Sequence, residues 1–246
     1  MDDKATETVN RMMDYAPGVM EQIVLDHLVL NAAGIANDFA DRHLFDAIAV
    51  SPGVEPRVQA AVKVCRERAI PRFFCLGNNK EEQDRGETYD APKIRGLFAE
   101  AEDEWEPEID VRKDGPNAWE QAKNLIGLCR ENHAQRIAFV AGAWHAARAW
   151  LTCIKYLRTE WGYVDSGDTP LVLPLLVNVG VCGELVRGAS ALHIEDGYKP
   201  GAFTDIVRAE VERRIRYEQN VATVEDVLAY FSQPHFEPYF EAPNHT

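Results

Sequence analysis

Two residues three apart, His145 and Arg148, stand at the head of a stretch with helical patterning that runs to Leu157. At that spacing both side chains share one face of a helix. A neutral imidazole takes or gives a proton near neutral pH. A guanidinium clamps a phosphate or carboxylate with two parallel hydrogen bonds. Together they have the chemistry of a site for a small anion, with His145 as general acid or base and Arg148 as anion ligand. The same residues also admit a plainer reading, in which His145 caps or packs and Arg148 pairs with a surface carboxylate.

A second pair, Asn117 and Glu120, follows the turn Asp114-Gly115-Pro116. Asn-x-x-Glu at a helix start is a capping-box pattern, with the glutamate reaching back to a backbone N–H. Its functional reading sets Glu120 across a crevice from His145, where it orients the imidazole, acts as a base or binds ligand hydroxyls. A third segment, Ser51-Pro52-Gly53, offers a hydroxyl that suits either an anion or a strand-end cap. Its glycine lets backbone approach a ligand closely.

These residues need elements to hold them at one edge. Phe45–Ser51, Arg72–Gly77, Glu108–Val111, Arg136–Gly142 and Pro170–Val179 read as strands, most of them short continuous apolar runs. Between them, Val58, Ala61, Val62 and Cys65 trace one helical face, and Ala118, Ala122, Leu125, Ile126 and Cys129 trace another. Further helices are expected near Lys93–Ala101 and over His145–Leu157. Alternating strands and helices, with apolar strands covered on both sides, give an α/β domain on a mostly parallel sheet. Residues 1–43 read as a helical N-terminal extension. The α/β domain then spans 44–246, with C-terminal helices over Thr204–Tyr217 and Thr223–Tyr230. The tail from Gln233 is expected to pack across the surface or fray.

In such sheets ligands bind beyond the carboxyl ends of the strands. That rule selects Ser51–Gly53, Gly77–Asn79, Asp114–Asn117 and Gly142–His145. Three of the four lead directly into a helix, whose unpaired N–H groups and partial positive charge suit an anion.

Bulk composition narrows the partners. Across 246 residues, 26 Lys+Arg face 40 Asp+Glu, a formal charge of −14. That field disfavours binding to nucleic acid or to an anionic membrane surface. A local cluster of donors still holds a small anion, because salt screens distant charge within about 8–10 Å. The cysteines Cys65, Cys75, Cys129, Cys153 and Cys182 form no C-x-x-C pair, and most sit in apolar runs, as core thiols of a reducing compartment do. No signal-peptide pattern and no run of 18 apolar residues is visible, so a cytoplasmic setting is expected.

Familiar catalytic signatures are missing: there is no P-loop, no H-E-x-x-H and no G-x-S-x-G. Gly180-Val-Cys-Gly183 is not a dinucleotide fingerprint. His193-Ile194-Glu195-Asp196 carries metal-ligand residue types, but the seven histidines show no clustering and no metal site is expected.

At Val140-Ala-Gly-Ala-Trp-His145-Ala-Ala-Arg148-Ala149 the chain resembles the YdcF/SanA-like family (domain of unknown function 218). There a strand ending in Val-Thr-Ser is followed by an aromatic, His, two residues, Arg and Ala. Trp144, His145 and Arg148 match, while Ala141 and Gly142 replace the Thr-Ser pair. The family's Asn-Thr-x-Glu-Asn core reads here Asn117-Ala118-Trp119-Glu120-Gln121, with the Thr hydroxyl and second Asn replaced. The similarity covers roughly Phe45 to Val179. It implies a Rossmann-like fold with helices on both faces. It also implies a soluble type of member with extra helices, and S-adenosylmethionine as a candidate cofactor.

Two functional expectations follow. The first is a small-molecule site for a nucleotide-like or phosphate- or carboxylate-bearing ligand, built from Ser51, Gly53, Asn117, Glu120, His145 and Arg148. The second is a non-catalytic binding or interaction module, S-adenosylmethionine-binding or homo-oligomeric, whose site has decayed with the hydroxyls lost at Ala118, Ala141 and Gly142.

Overall fold

The computed structural model describes residues 21, 24–53, 55–78, 86, 88–99, 105–142, 145–161, 168–175, 191–194, 197–200, 214 and 216–240. Its centre is a five-stranded sheet formed by β1 (Ala47–Val50), β2 (Arg72–Cys75), β3 (Glu108–Val111), β4 (Arg136–Val140) and β5 (Leu171–Pro174). Their spatial order is β3-β2-β1-β4-β5, and every neighbouring pair is parallel. This is the parallel α/β architecture that the alternating pattern predicts, and it is Rossmann-like. All four residues of β1 and of β5 are buried, which is why these strands read as unbroken apolar runs rather than as alternation.

Among the described residues the helices of eight residues or more are, in chain order, α1 (24–41), α2 (Glu55–Glu67), α3 (Ala91–Ala99), α4 (Ala118–Asn132), α5 (Ala146–Tyr156) and α6 (Val224–Phe231). Parallel strands need right-handed crossovers. The chain steps outward from β1 to β2 and β3, then returns past β1 to β4 and β5. The reversal puts α2 and α3, which touch each other, on one face, and α4 and α5, packed side by side, on the other. Leu25, Val29 and Phe39 of α1 belong to the same apolar core as the sheet, so this helix is packed onto the α/β body, while residues 1–20 of the expected extension lie outside the described residues.

Local chemistry sets the helix ends. Asn117 caps α4, its Oδ1 accepting from the Glu120 amide at 3.0 Å. His133 closes the other end in the left-handed region at φ 51°. Thr223 and Asp226 form a reciprocal capping box on α6. The buried Asp226 carboxylate also pairs with Lys155 at 3.1 Å and with Arg158, tying α6 to the end of α5.

The outer edge of β5 is closed by side chains. Tyr230 Oη accepts from the Val172 amide at 2.6 Å and donates to Pro170 O at 2.8 Å. Trp150 Nε1 donates to Val172 O at 2.9 Å. Aromatic side chains thus satisfy backbone groups that would otherwise leave an open sheet edge. Beyond Ser232 the chain does pack: Phe236 is buried and lies 5.1 Å from the Tyr230 ring.

The sequence reading does not foresee the antiparallel hairpin β6 (Ala191–Ile194) and β7 (Gly197–Pro200). Of the residue types noted there, His193 lies on β6, while Glu195 and Asp196 fall outside the described residues. So do most of the helix expected at Thr204–Tyr217 and the second half of the apolar run ending at Val179. Among the described residues, no helix is long and apolar enough to cross a membrane.

Candidate functional site

The winding of the chain reverses between β1 and β4, so the crevice at their carboxyl ends is where an open α/β sheet receives a ligand. Ser51 extends the pairing of the two strands one step further, its amide donating to Val140 O at 2.8 Å. The turn Pro52-Gly53 then feeds α2. On the opposite lip, Gly142 follows β4 and leads into α5, its carbonyl accepting from the His145 and Ala146 amides at 2.8 and 2.7 Å.

Arg57, in the first turn of α2, fills the space between these lips. It is 7% exposed. Its Nη1 donates to Ser51 O at 3.0 Å and to Pro52 O. A Cβ at Gly53, where φ is +143°, would stand 2.7 Å from Nη1, and a Cβ at Gly142 would stand 2.5 Å from Nη2. Two glycines, one on each lip, therefore make the room that the guanidinium occupies. A permanent positive charge is held where the N-terminal ends of α2 and α5 converge, and both ends carry partial positive charge themselves.

Ser51 serves as a brace in this arrangement. It is 3% exposed, and its Oγ donates to Gln121 Oε1 at 2.7 Å. The Gln121 amide in turn donates to Gly77 O at 3.3 Å and to Gly115 O at 3.2 Å. Asn124, one turn further along α4, donates to Leu76 O at 2.9 Å and Asp114 O at 2.7 Å. One face of α4 thereby holds the ends of β1, β2 and β3 together. The turns after β2 and β3 also touch directly: Gly115 N donates to Asn78 O at 3.1 Å. A Cβ at Gly77 would come within 2.5 Å of the Asp114 carbonyl carbon. The contact therefore needs a glycine.

His145 and Arg148 meet as their spacing predicts: Arg148 Nη2 lies 2.9 Å from His145 Nδ1, both half-buried at the head of α5. The His145 side chain makes no helix-capping hydrogen bond. Asn117 acts as a cap. Glu120 is 40% exposed and faces Lys123 at 3.6 Å. Its charge also helps to raise the Tyr156 hydroxyl above its ordinary range, after burial and Glu160. Among the described residues, no hydrogen bond or ion pair joins Glu120 to the cluster around Arg57. The residues brought together at the crevice are thus Ser51, Gly53 and Gly142 around Arg57, with His145 and Arg148 on the α5 side.

The motifs visible in the sequence do not single out Arg57 or Gln121. Both carry a signal. Arg57, Ala61 and Cys65 stand at four-residue steps, as do Gln121, Leu125 and Cys129. A polar residue on the buried line of an amphipathic helix marks a group that must find its partners inside.

Fold and crevice define a Rossmann-like α/β protein. No family model matches the chain, and no curated protein sequence matches it.

Proposed function

We propose that this protein binds a small anionic ligand, nucleotide-like or carrying a phosphate or carboxylate, in the crevice between the carboxyl ends of β1 and β4. The observation that carries the reading is Arg57, a buried guanidinium framed by a glycine on each lip, at the point where the winding reverses. Burying a charge costs free energy unless it is paired or strongly hydrogen-bonded. The carbonyls of Ser51 and Pro52 hold this one in place, and an anion entering between the lips would meet its charge. Backbone amides at the heads of α2 and α5 would add donors. His145 and Arg148 stand at the α5 lip, where His145 would hydrogen-bond the ligand. The two motifs that resemble the YdcF/SanA-like family are consistent with this reading, and S-adenosylmethionine belongs to the nucleotide-like class it names.

Calorimetric titration with inorganic phosphate, adenosine nucleotides and S-adenosylmethionine tests the proposal. At least one is expected to bind saturably, with affinity reduced about tenfold or more in Arg57→Gln, the usual magnitude for losing a charge-assisted hydrogen bond. If none saturates at millimolar concentration and the chain is a clean apo dimer by native mass spectrometry, the interaction-module reading replaces it.

A further inference from the structure

We infer that Arg148 is a positioning residue: it holds His145 as the neutral imidazole with its proton on Nε2, so that His145 meets a ligand as a hydrogen-bond donor. The argument starts from the contact of 2.9 Å between Arg148 Nη2 and His145 Nδ1. A guanidinium carries five N–H donors and no acceptor, and it keeps its proton at every pH a protein survives. Arg148 is therefore the donor. Nδ1 must present its lone pair. A neutral imidazole has one N–H and one lone pair, so the proton sits on Nε2.

The surroundings support a tuned pair. His145 is the N-cap of α5 and Arg148 lies in its first turn, three residues on and on the same face. The ring makes no capping bond, so the plainest structural use of a histidine at this position is missing. Adding a proton to Nδ1 would turn the acceptor into a second donor and set an imidazolium against a guanidinium. That contact holds only while the ring is neutral. A carboxylate in the place of Arg148 would do the opposite and fix the proton on Nδ1.

This changes the division of labour at the crevice. In the sequence, Arg148 looks like the anion clamp and His145 like a general base. In the structure, one arm of Arg148 is directed at His145, and Arg57 is the guanidinium set between the lips. A ring with its proton on Nε2 hydrogen-bonds a phosphoryl, carboxylate or carbonyl oxygen, and it is the wrong tautomer to abstract a proton through that atom. The ligand atom that meets His145 is thus an oxygen acceptor. What Nε2–H contacts rests on the proposed anion site; the tautomer itself does not.

Long-range 1H–15N correlation spectra of the full chain, labelled with 15N-histidine, read the tautomer directly. His145→Gln identifies the resonances of His145. The wild type is expected to show an unprotonated Nδ1 and a protonated Nε2 at neutral pH. In Arg148→Met that asymmetry is lost and the two nitrogens average towards each other, and Arg148→Lys restores part of it. A wild-type His145 with its proton on Nδ1, or with both nitrogens protonated, overturns the inference, as does a pattern unchanged in Arg148→Met. The wild-type spectrum decides alone if Arg148→Met does not fold. Adding inorganic phosphate to a uniformly 15N-labelled sample separates the two readings: absence of any response at the Gly53 and Gly142 amides defeats the anion site and leaves the tautomer assignment standing.

Discussion

The Ser51 hydroxyl and the Gln121 side-chain carbonyl, 70 residues apart in sequence, meet at 2.7 Å beneath the rim of the sheet. The contact joins the end of β1 to the first turn of α4. Because the same amide also reaches the carbonyls of Gly77 and Gly115, Gln121→Leu strands three buried polar groups at once. Each unsatisfied group costs about 1–3 kcal/mol, and partial rearrangement brings the expected loss to about 3 kcal/mol. Urea unfolding midpoints measure it. The double variant with Ser51→Ala should lose less than the sum of the single losses, because one hydrogen bond is removed twice.

Two alanine substitutions should move stability in opposite directions. Gly77 has φ +94° and faces the Asp114 backbone with no space for a Cβ. Gly77→Ala should cost about 2 kcal/mol or more. Gly96 lies inside α3 with open space around its missing Cβ. Gly96→Ala should stabilise by about 0.5–1 kcal/mol. Equal signs in thermal melts of the two variants would contradict the geometry.

Tyr230→Phe tests how the sheet edge is closed. The change keeps the ring packing and removes the hydroxyl that both accepts from Val172 N and donates to Pro170 O. A loss of about 1–3 kcal/mol is expected. Hydrogen exchange at the Val172 amide should accelerate more than at Ile48, in the central strand.

Burial pushes the thiols of Cys65, Cys129 and Cys153 well above their ordinary range. The folded chain keeps these protons where the unfolded chain sheds them, from about pH 8.5 upward. The unfolded state then binds fewer protons, so stability falls as pH rises through that range and is fully present below it. Urea midpoints measured from neutral to about pH 9.5 should decline, and thiol labelling should follow the rate of unfolding. A flat profile with fast labelling would contradict the buried placement.

What the sequence reveals follows burial. The strands are legible because doubly covered parallel strands are continuously apolar, as in Ala47–Val50 and Leu171–Pro174. The contact between His145 and Arg148 is legible because helical spacing is local. Arg57 is not found by motif because its meaning depends on Gly53 and Gly142, two turns brought together only by the pairing of β1 with β4. Gln121 is hidden for the same reason, its three partners coming from three different strand ends. Asn117 and Glu120 match a capping box, and half of it forms. Asn117 caps, while Glu120 turns to Lys123, a neighbour the pattern does not weigh. The hairpin of Ala191–Ile194 with Gly197–Pro200 is not legible, because strands of four residues are too short to show a clear alternation.

The claim that the crevice between β1 and β4 holds an anion against Arg57 is tested most directly by titrating inorganic phosphate into 15N-labelled protein and following the amide resonances. The account predicts saturable shifts concentrated at Gly53 and Gly142, abolished in Arg57→Gln while the rest of the spectrum remains folded. Saturable shifts that persist in Arg57→Gln, or a wild-type response that bypasses both glycines, would contradict it.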